Sequence, residues 1–316
     1  MATLLLIGGT GFFGKSILDA FKRGLLNEWS IDRVIVMARR PQALLDEVPE
    51  LVSSSIELYQ ADISNATVLP ESDYIIHAAA STDASKYLSQ GEEEKENIIM
   101  GALNYCRLAP KYHHNSKIVF CSSGAVYGYQ PDYVDYLDES MDFGNVEGLS
   151  EVKRAYAYAK RDSEKAFLAL GEKEGMSVSI ARCFAFVGKY LPREQHFAIG
   201  NFIGDGLANR SIVVKAKNKV YRSYMYADDL VMWLMTICEN SSTKSPVYNV
   251  GSDQIVELHE LAETLADNFK VSLSMSELTS SNTDRYVPSI KKITSELKLK
   301  LSYDLSTAIE LSCRSI

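Results

Sequence analysis

The chain has 316 residues, 46% of them hydrophobic, and a formal net charge of −8 at pH 7. This length and apolar content are enough for one large domain with a smaller lobe. The acidic balance and the lack of a basic tract argue against a nucleic-acid-binding surface, so we expect no nucleic-acid partner.

Cysteine usage and the N-terminus indicate the compartment. The five cysteines are scattered and show no C-x-x-C spacing, which favours reduced thiols in the cytoplasm over disulfides or a metal site. The N-terminal apolar stretch lacks a basic leader and a cleavage site, so it predicts a strand. The longest later apolar run, 230–238, is too short to cross a bilayer, so we expect no membrane partner.

Strand and helix signals alternate through the first half. Helix-length segments at 92–112 and 151–175 lie between the last three predicted strands. This βαβ alternation predicts an α/β fold with a doubly wound parallel sheet of Rossmann type. The predicted strands are 4–7, 33–38, 56–59, 73–78, 116–121 and 177–182.

After Phe184 the alternation becomes less regular. We predict a dinucleotide-binding Rossmann domain over 1–184, with about 222–250 returning to it, and a smaller substrate-binding lobe over 185–316. The acidic, tyrosine-rich stretch 129–151 predicts a loop, either a substrate lid or a solvated insertion. The later predicted elements are strands 211–215, 222–226 and 246–250, and helices 197–207, 227–239, 256–268, 289–297 and 305–313.

A glycine-rich turn follows the first predicted strand. Its spacing, Gly8-x-x-Gly11-x-x-Gly14, is a variant of the dinucleotide fingerprint. Such a turn lets backbone N–H groups approach a pyrophosphate at the positive end of the next helix. Gly14 would let that helix pack closely against the strand. A glycine loop of no special function is the alternative, which the flanking strand and the helix at 15–23 disfavour.

Tyr156 and Lys160 stand four residues apart in a predicted helix and therefore share one face. A nearby ammonium favours the phenolate, so such a tyrosine can exchange a proton with a carbonyl oxygen during hydride transfer. Ser122 and Ser123 end the fifth predicted strand, where active groups of parallel sheets gather. A chance Tyr–Lys pair and a simple strand-end turn are the alternatives, and Tyr158 is expected to pack or to flank the cofactor.

These residues carry a family resemblance over nearly the whole chain. The chain resembles the extended short-chain dehydrogenase/reductases, of the NAD(P)-dependent epimerase/dehydratase kind that acts on nucleotide sugars. The matching segments are the turn 8–14, Asp62, the strand end 77–80, Asn97 with Gly101 and Asn104, Ser123 with Val126, Tyr156 with Lys160 and Glu164, the stretch 182–188, Arg222, and Asp228 with Asp229.

The resemblance implies the site residues and a homodimer formed through the helices that hold Asn97 and Tyr156. The implied catalytic residues are Ser123, Tyr156 and Lys160. The implied cofactor-binding residues are Gly8, Thr10, Gly11, Phe12, Phe13, Gly14, Arg39, Asp62, Ile63, Ala78, Ala79, Ala80, Asn97, Tyr156 and Lys160. The implied substrate-binding residues are Thr82, Ser122, Ser123, Gly124, Arg222 and Arg285.

Departures from the family pattern narrow the activity. Gly124 and Ala125 stand where the 4,6-dehydratases carry an acidic pair, which disfavours dehydration. Ala185 replaces an asparagine that holds the sugar diphosphate in many epimerases. Arg222 and Arg285 remain as phosphate partners, because a guanidinium suits a diphosphate, with a surface salt bridge as the alternative.

The end of the second predicted strand bears on the cofactor. An acidic residue there would bind the ribose of NAD, whereas the sequence places Arg39 and Arg40 there without an acid. We therefore predict NADP(H), with Arg39 as its contact and NAD as the other choice. A solvated basic pair is the alternative reading.

Three functions remain open. The first is NADPH-dependent reduction of a 4-keto group on a nucleotide-linked deoxysugar, and the second is a 4-epimerase that retains NAD. A non-catalytic NADP-sensing or scaffold protein is the third, because a fold does not fix a function. The intact Ser123, Tyr156 and Lys160 set argues against the third.

Overall fold

The structure is a computed structural model that describes residues 1–80, 84–193 and 197–314, without the side chains of 84–91 and Arg314. Its strands are β1 (Ala2–Ile7), β2 (Ile31–Ala38), β3 (Ile56–Gln60), β4 (Tyr74–His77), β5 (Lys117–Ser123), β6 (Ser177–Cys183), β7 (Phe186–Val187), β8 (Ile212–Val214), β9 (Lys219–Arg222), β10 (Met225–Tyr226), β11 (Val247–Val250), β12 (Val256–Glu257), β13 (Leu273–Met275) and β14 (Thr283–Tyr286). Its helices are α1 (Phe12–Lys22), α2 (Ala43–Glu47), α3 (Ala84–Tyr112), α4 (Glu151–Glu174), α5 (Ala198–Leu207), α6 (Ala227–Glu239), α7 (Leu258–Phe269), α8 (Lys291–Leu297) and α9 (Leu305–Arg314).

The predicted α/β Rossmann-type fold is confirmed. Seven strands form one sheet in the order β11-β6-β5-β4-β1-β2-β3, and every neighbouring pair is parallel. The four residues Leu4 to Ile7 are at most 2% exposed, which is typical of a strand covered on both faces.

The two faces of the sheet have separate cores. Because side chains alternate along a strand, Leu4 and Leu6 of β1 pack in one cluster with residues of α1 and α6. Leu5 and Ile7 pack in the other cluster, against α3 and α4. Within the described ranges, no helix is both long and apolar enough to cross a membrane.

The C-terminal part builds a smaller unit on short strands. β12, β9 and β14 form one sheet, and β8 pairs with β13 beneath α5 and α7. β11 returns to the edge of the main sheet beside β6. The division into a domain over 1–184, with about 222–250, and a lobe over 185–316 stays a prediction.

Strand pairing changes two of the elements predicted for this part. The strand predicted at 222–226 is the end of β9 and the separate strand β10, which pair with different partners. The helix predicted from Val256 begins at Leu258, because Val256 and Glu257 pair with β9 as β12. Long-range pairing, invisible to local periodicity, decides both cases.

Candidate active site

The glycine turn connects β1 to α1 as predicted. Gly8 has φ +85°, and a Cβ there would lie 2.6 Å from the Cα of Ala79. A Cβ on Gly14 would lie 2.0 Å from the carbonyl oxygen of Gly9, so α1 can start this close to β1 only with glycine. The turn thus presents the N-terminal N–H groups of α1 to the end of the sheet, a favourable place for a phosphate.

A cavity of about 430 Å³ opens beside this turn at the carboxyl ends of β1 to β3. Most residues implied in cofactor binding lie around it, whereas Gly14 is buried in the packing of α1. The predicted residues in its wall are Gly8, Thr10, Gly11, Arg39, Asp62, Ile63, Ala79, Ala80 and Asn97.

Polar contacts hold the wall after β3. The Asp62 carboxylate accepts hydrogen bonds from the N–H and hydroxyl of Ser64, at 2.9 and 2.8 Å. The Asn104 amide donates to the carbonyls of Ile63 and Ala66. Asn104, taken from the family pattern, therefore stabilises the cavity without lining it.

A larger cleft of about 1470 Å³ continues from the glycine turn toward the C-terminal part. Gly8, Thr10, Gly11 and Ala80 border both spaces, so an extended ligand can run from one into the other. The other predicted residues that line the cleft are Phe12, Phe13, Ala78, Ser122, Ser123, Tyr156, Lys160, Arg222 and Arg285. Thr82 lies outside the described residues.

The structure brings Ser123, Tyr156 and Lys160 together in this cleft. Ser123 ends β5 and caps the following turn by accepting a hydrogen bond from the Ala125 N–H at 3.2 Å. Tyr156 and Lys160 stand on α4, and the Tyr156 phenol hydrogen-bonds Ser123. Lys160 is 2% exposed and donates to the carbonyl oxygen of Cys121 at 2.8 Å.

Burial sets the protonation of this set. It raises the pKa of Tyr156 to about 12, against the opposing hydrogen bond with Ser123. It lowers the pKa of the Lys160 amine, whose nitrogen lies 5.8 Å from the centre of the Tyr156 ring. The phenol is therefore protonated at neutral pH, the state required to donate a proton to a carbonyl oxygen.

Gly124 is buried beneath two aromatic rings. A Cβ at this position would lie 2.6 Å from Phe184 and 2.7 Å from the phenol oxygen of Tyr286. Even alanine would displace these rings, so the position has no room for an acidic side chain. Gly124 supports the cleft from behind and does not line it.

Tyr286 is a site residue that the sequence did not reveal. It ends β14, and its phenol oxygen lies 3.4 Å from the Ser123 hydroxyl. Its ring packs on Phe184, with the ring centres 4.7 Å apart. No motif marks this tyrosine, because it reaches Ser123 only through the pairing of β14 with β9.

A buried ion pair lies behind the ends of β5 and β6. The Arg182 guanidinium donates to both oxygens of Glu164, at 3.1 and 2.9 Å, and its side chain is 8% exposed. Ser122 donates to the same carboxylate at 2.5 Å. Tyr127 bridges Arg182 to Asn249 on β11. The Ser122 hydroxyl is therefore already paired with Glu164, although Ser122 borders the cleft.

The two arginines predicted to bind phosphate differ in their contacts. Arg222 forms a salt bridge with Asp284 at 2.9 Å. A salt bridge was the alternative to phosphate binding considered for both arginines. The Arg285 guanidinium stacks on Tyr221, 4.5 Å from the ring centre. Both line the cleft with Lys153, whose amine lies 3.7 Å from Asp284.

The acidic stretch 129–151 is anchored to distant elements. The Leu137 backbone pairs with Val287 and Ser289, and Glu139 accepts from the Asn249 N–H at 2.7 Å. Tyr129 and the start of α4 border the cleft. This loop is therefore part of the cleft wall, held by β11 and by the segment after β14.

The chain is similar to curated enzymes over most of its length. UDP-glucuronic acid decarboxylase 6 of Arabidopsis thaliana is 26% identical over 292 residues, which cover 92% of this chain and 81% of the relative. Vestitone reductase of Medicago sativa is 28% identical over 281 residues, which cover 83% of this chain and 80% of the relative. These relatives are a decarboxylase and a reductase.

A solved structure supports the fold. The UDP-glucose 4-epimerase of Thermotoga maritima, crystallised with UDP-glucose, superposes with a TM-score of 0.82 at 18% identity, covering 99% of this chain and 98% of that chain. The sequence profile described as the NAD dependent epimerase/dehydratase family matches residues 4–251. The chain therefore belongs to the NAD dependent epimerase/dehydratase family, as the sequence motifs indicated.

Proposed function

We propose that this protein uses NADPH to reduce a 4-keto group on a nucleotide-linked deoxysugar. The observation that carries this proposal is the convergence of Ser123, Tyr156 and Lys160 in one cleft with the glycine turn. The family places the chain among nicotinamide-dependent enzymes of nucleotide-sugar chemistry, and a reductase is among its relatives. The finer assignment to ketoreduction rests on this set together with the lack of an acidic pair at Gly124 and Ala125 and the basic pair Arg39 and Arg40.

The residues present suit a dinucleotide. The N–H groups at the start of α1 suit its pyrophosphate, and the cavity beside Asp62 suits its adenosine. Arg39 and Arg40 are both exposed at the end of β2, where a guanidinium would pair with a 2′-phosphate. This placement supports NADP(H), and NAD is the alternative that the family description names.

The chemistry follows from the protonation of the set. When bound, the nicotinamide would supply a hydride to the keto carbon. The protonated Tyr156 phenol would give its proton to the keto oxygen, and Ser123 would hold that oxygen by a hydrogen bond. Lys160, the nearest ammonium, would stabilise the phenolate that forms. The C=O π bond breaks, a C–H and an O–H bond form, and Tyr156 regains a proton from solvent.

Elimination of water has less support. Dehydration needs a further acid and base beside the reacting carbons, and Gly124 and Ala125 supply neither. The contacts of Gly124 with Phe184 and Tyr286 leave no room for such a group. Hydride and proton exchange is therefore the chemistry that these side chains support.

A 4-epimerase with retained NAD is the second candidate, because the same three residues would oxidise and then reduce the sugar. The test is to purify the protein, measure the nicotinamide that it carries, and assay it with nucleotide-linked 4-keto sugars. We expect one NADPH oxidised for each hydroxyl formed. Protein purified with stoichiometric NAD, and epimerisation without net NADPH consumption, would replace the first proposal by the second.

We also propose a homodimer formed through α3 and α4. Met100 and Leu103 of α3 are 51% and 47% exposed, and Tyr158 of α4 is 41% exposed. These two helices pack side by side on one face of the sheet, so their outer surfaces could pair with those of a second copy. Light scattering should give twice the 35.2 kDa mass of the chain, and Leu103→Glu should give the monomer mass.

A further inference from the structure

Ser123 has two hydrogen-bond neighbours besides Tyr156. The Ala125 N–H donates to the Ser123 oxygen at 3.2 Å, which occupies one of its two lone pairs. The Tyr286 phenol lies 3.4 Å from the same oxygen, and either group can be the donor. A serine hydroxyl carries one proton, so the direction of this second contact decides where that proton points.

Tyr286 is held in place independently of Ser123. Its ring packs on Phe184. Its hydroxyl also lies 3.4 Å from the Cys183 carbonyl oxygen, so its single proton has two acceptors within reach, Cys183 and Ser123, and goes to one of them at a time. Gly124 makes this position available, because a side chain there would collide with the phenol oxygen. The position of the Tyr286 phenol beside Ser123 therefore requires glycine at 124 and excludes an acidic side chain there.

We propose that Tyr286 is a positioning residue for the reaction: it donates to Ser123 and so directs the Ser123 proton toward the reacting oxygen. With both lone pairs occupied, by Ala125 and Tyr286, Ser123 can act only as a donor, to the Tyr156 phenol oxygen or to a ligand oxygen that takes its place. Such a chain of hydrogen bonds also polarises the serine hydroxyl. Tyr286 thus acts through Ser123, and this role rests on the proposed hydride transfer at this site.

A double-mutant cycle on the full chain tests this inference. We expect Ser123→Ala to lower kcat by about 10²-fold, as for the loss of one oxyanion donor. Tyr286→Phe keeps the ring on Phe184 and should lower kcat by about 10-fold, the value of one hydrogen bond, with KM and NADPH affinity within about twofold. In the Ser123→Ala background, Tyr286→Phe should have no further effect.

Tyr248→Phe is the matched control. Tyr248 stands on β11 and outside the cleft, and its phenol donates to Glu296 at 2.9 Å. Loss of this hydroxyl should therefore leave kcat unchanged. A 10-fold loss from Tyr286→Phe in the Ser123→Ala background would show a role independent of Ser123 and would overturn the inference. So would an unchanged kcat in Tyr286→Phe, or a loss explained by a lower melting temperature.

The assay separates this inference from the proposed function. The cycle needs only hydride transfer, so it is run on whichever reaction the wild type performs, ketone reduction or epimerisation. If the wild type epimerises without consuming NADPH, the proposed reduction fails while the cycle still measures the coupling of Tyr286 to Ser123. If reduction proceeds and the coupling is absent, only the inference about Tyr286 fails.

Discussion

The two ends of the cleft are built in different ways. The cavity where the adenosine of the proposed cofactor would lie, which we call the adenosine end, is bordered by the glycine turn and by the residues that follow β1, β2 and β3. The reaction end consists of side chains from distant parts of the chain: Ser123 and Tyr286, which nearly touch, are 163 residues apart. A glycine turn can be encoded in one short segment, whereas a set of side chains from distant elements depends on how those elements pack. Variants should therefore affect one end without the other.

The largest expected effect is at the reaction end. Tyr156→Phe removes the proton donor and should lower kcat by on the order of 10³-fold, because general acid catalysis contributes about that much. NADPH affinity, measured by fluorescence titration, should stay within about threefold. Tyr158→Phe on the exposed side of α4 is the control and should leave kcat unchanged. Full turnover of Tyr156→Phe would remove this tyrosine from the mechanism.

The second-largest expected effect is on the stability of the fold, through the buried ion pair of Arg182 and Glu164 behind the reaction end. Arg182→Met leaves the Glu164 carboxylate, 1% exposed, without its ion partner. Breaking a buried pair in this way should cost about 3–5 kcal/mol of unfolding free energy, measured by urea denaturation. Changing both residues, Glu164→Gln with Arg182→Met, should recover part of the loss. A cost below about 1 kcal/mol for Arg182→Met would mean that the pair does not stabilise the fold.

Between the two ends lies His77, which is 1% exposed at the end of β4. Burial, with the charge of Lys160, lowers its pKa from 6.5 to about 3. The unfolded chain binds this proton below pH 6.5 and the folded chain does not, so stability is lost as pH falls from 6.5 toward 3. Protonation of His77 in the unfolded chain should lower the free energy of unfolding by about 2 kcal/mol at pH 5.

Urea denaturation at pH 7.5 and pH 5 measures this loss. His77→Leu removes the titrating group, so the difference between the two pH values should shrink by about 2 kcal/mol. His114→Leu changes an exposed histidine and should leave the difference as it is in the wild type. An unchanged difference in His77→Leu would show that His77 is not the group responsible.

The smallest effect is at the adenosine end. Arg39→Ala should weaken NADPH binding by about 10-fold, through loss of a charge-assisted contact with the 2′-phosphate, and leave NADH binding and saturated kcat unchanged. Arg33→Ala, at the opposite end of β2 and paired with Glu57, is the matched control. Tighter binding of NADH than of NADPH by the wild type would reverse the cofactor assignment.

Local patterns predicted most of the sheet and the core of the site. Strand-length segments rich in apolar residues predicted β1 to β6 to within a few residues. In β1 the apolar run Leu4 to Ile7 is unbroken, because a strand buried on both faces has no polar alternation. The glycine spacing predicted the turn, since Gly14 packs against Gly9 of the same turn and Gly8 has a positive φ, although the close neighbour of Gly8 is the distant Ala79. Short strands such as β12 and β14 were missed, because only their partners distinguish them from loop or helix.

By itself, the sequence determined the family and the parallel sheet, and it predicted the proposed catalytic set of Ser123, Tyr156 and Lys160. The strands and the Tyr156–Lys160 pair depend on spacings along one strand or helix, which periodicity fixes, whereas the grouping of Ser123 with that pair came from the family pattern. Only the tertiary structure decided that Asp284 pairs with Arg222, that Glu164 pairs with Arg182 behind the site, and that Tyr286 stands beside Ser123. Those contacts join elements far apart in the chain, so they exist only once the sheet and the C-terminal strands have packed.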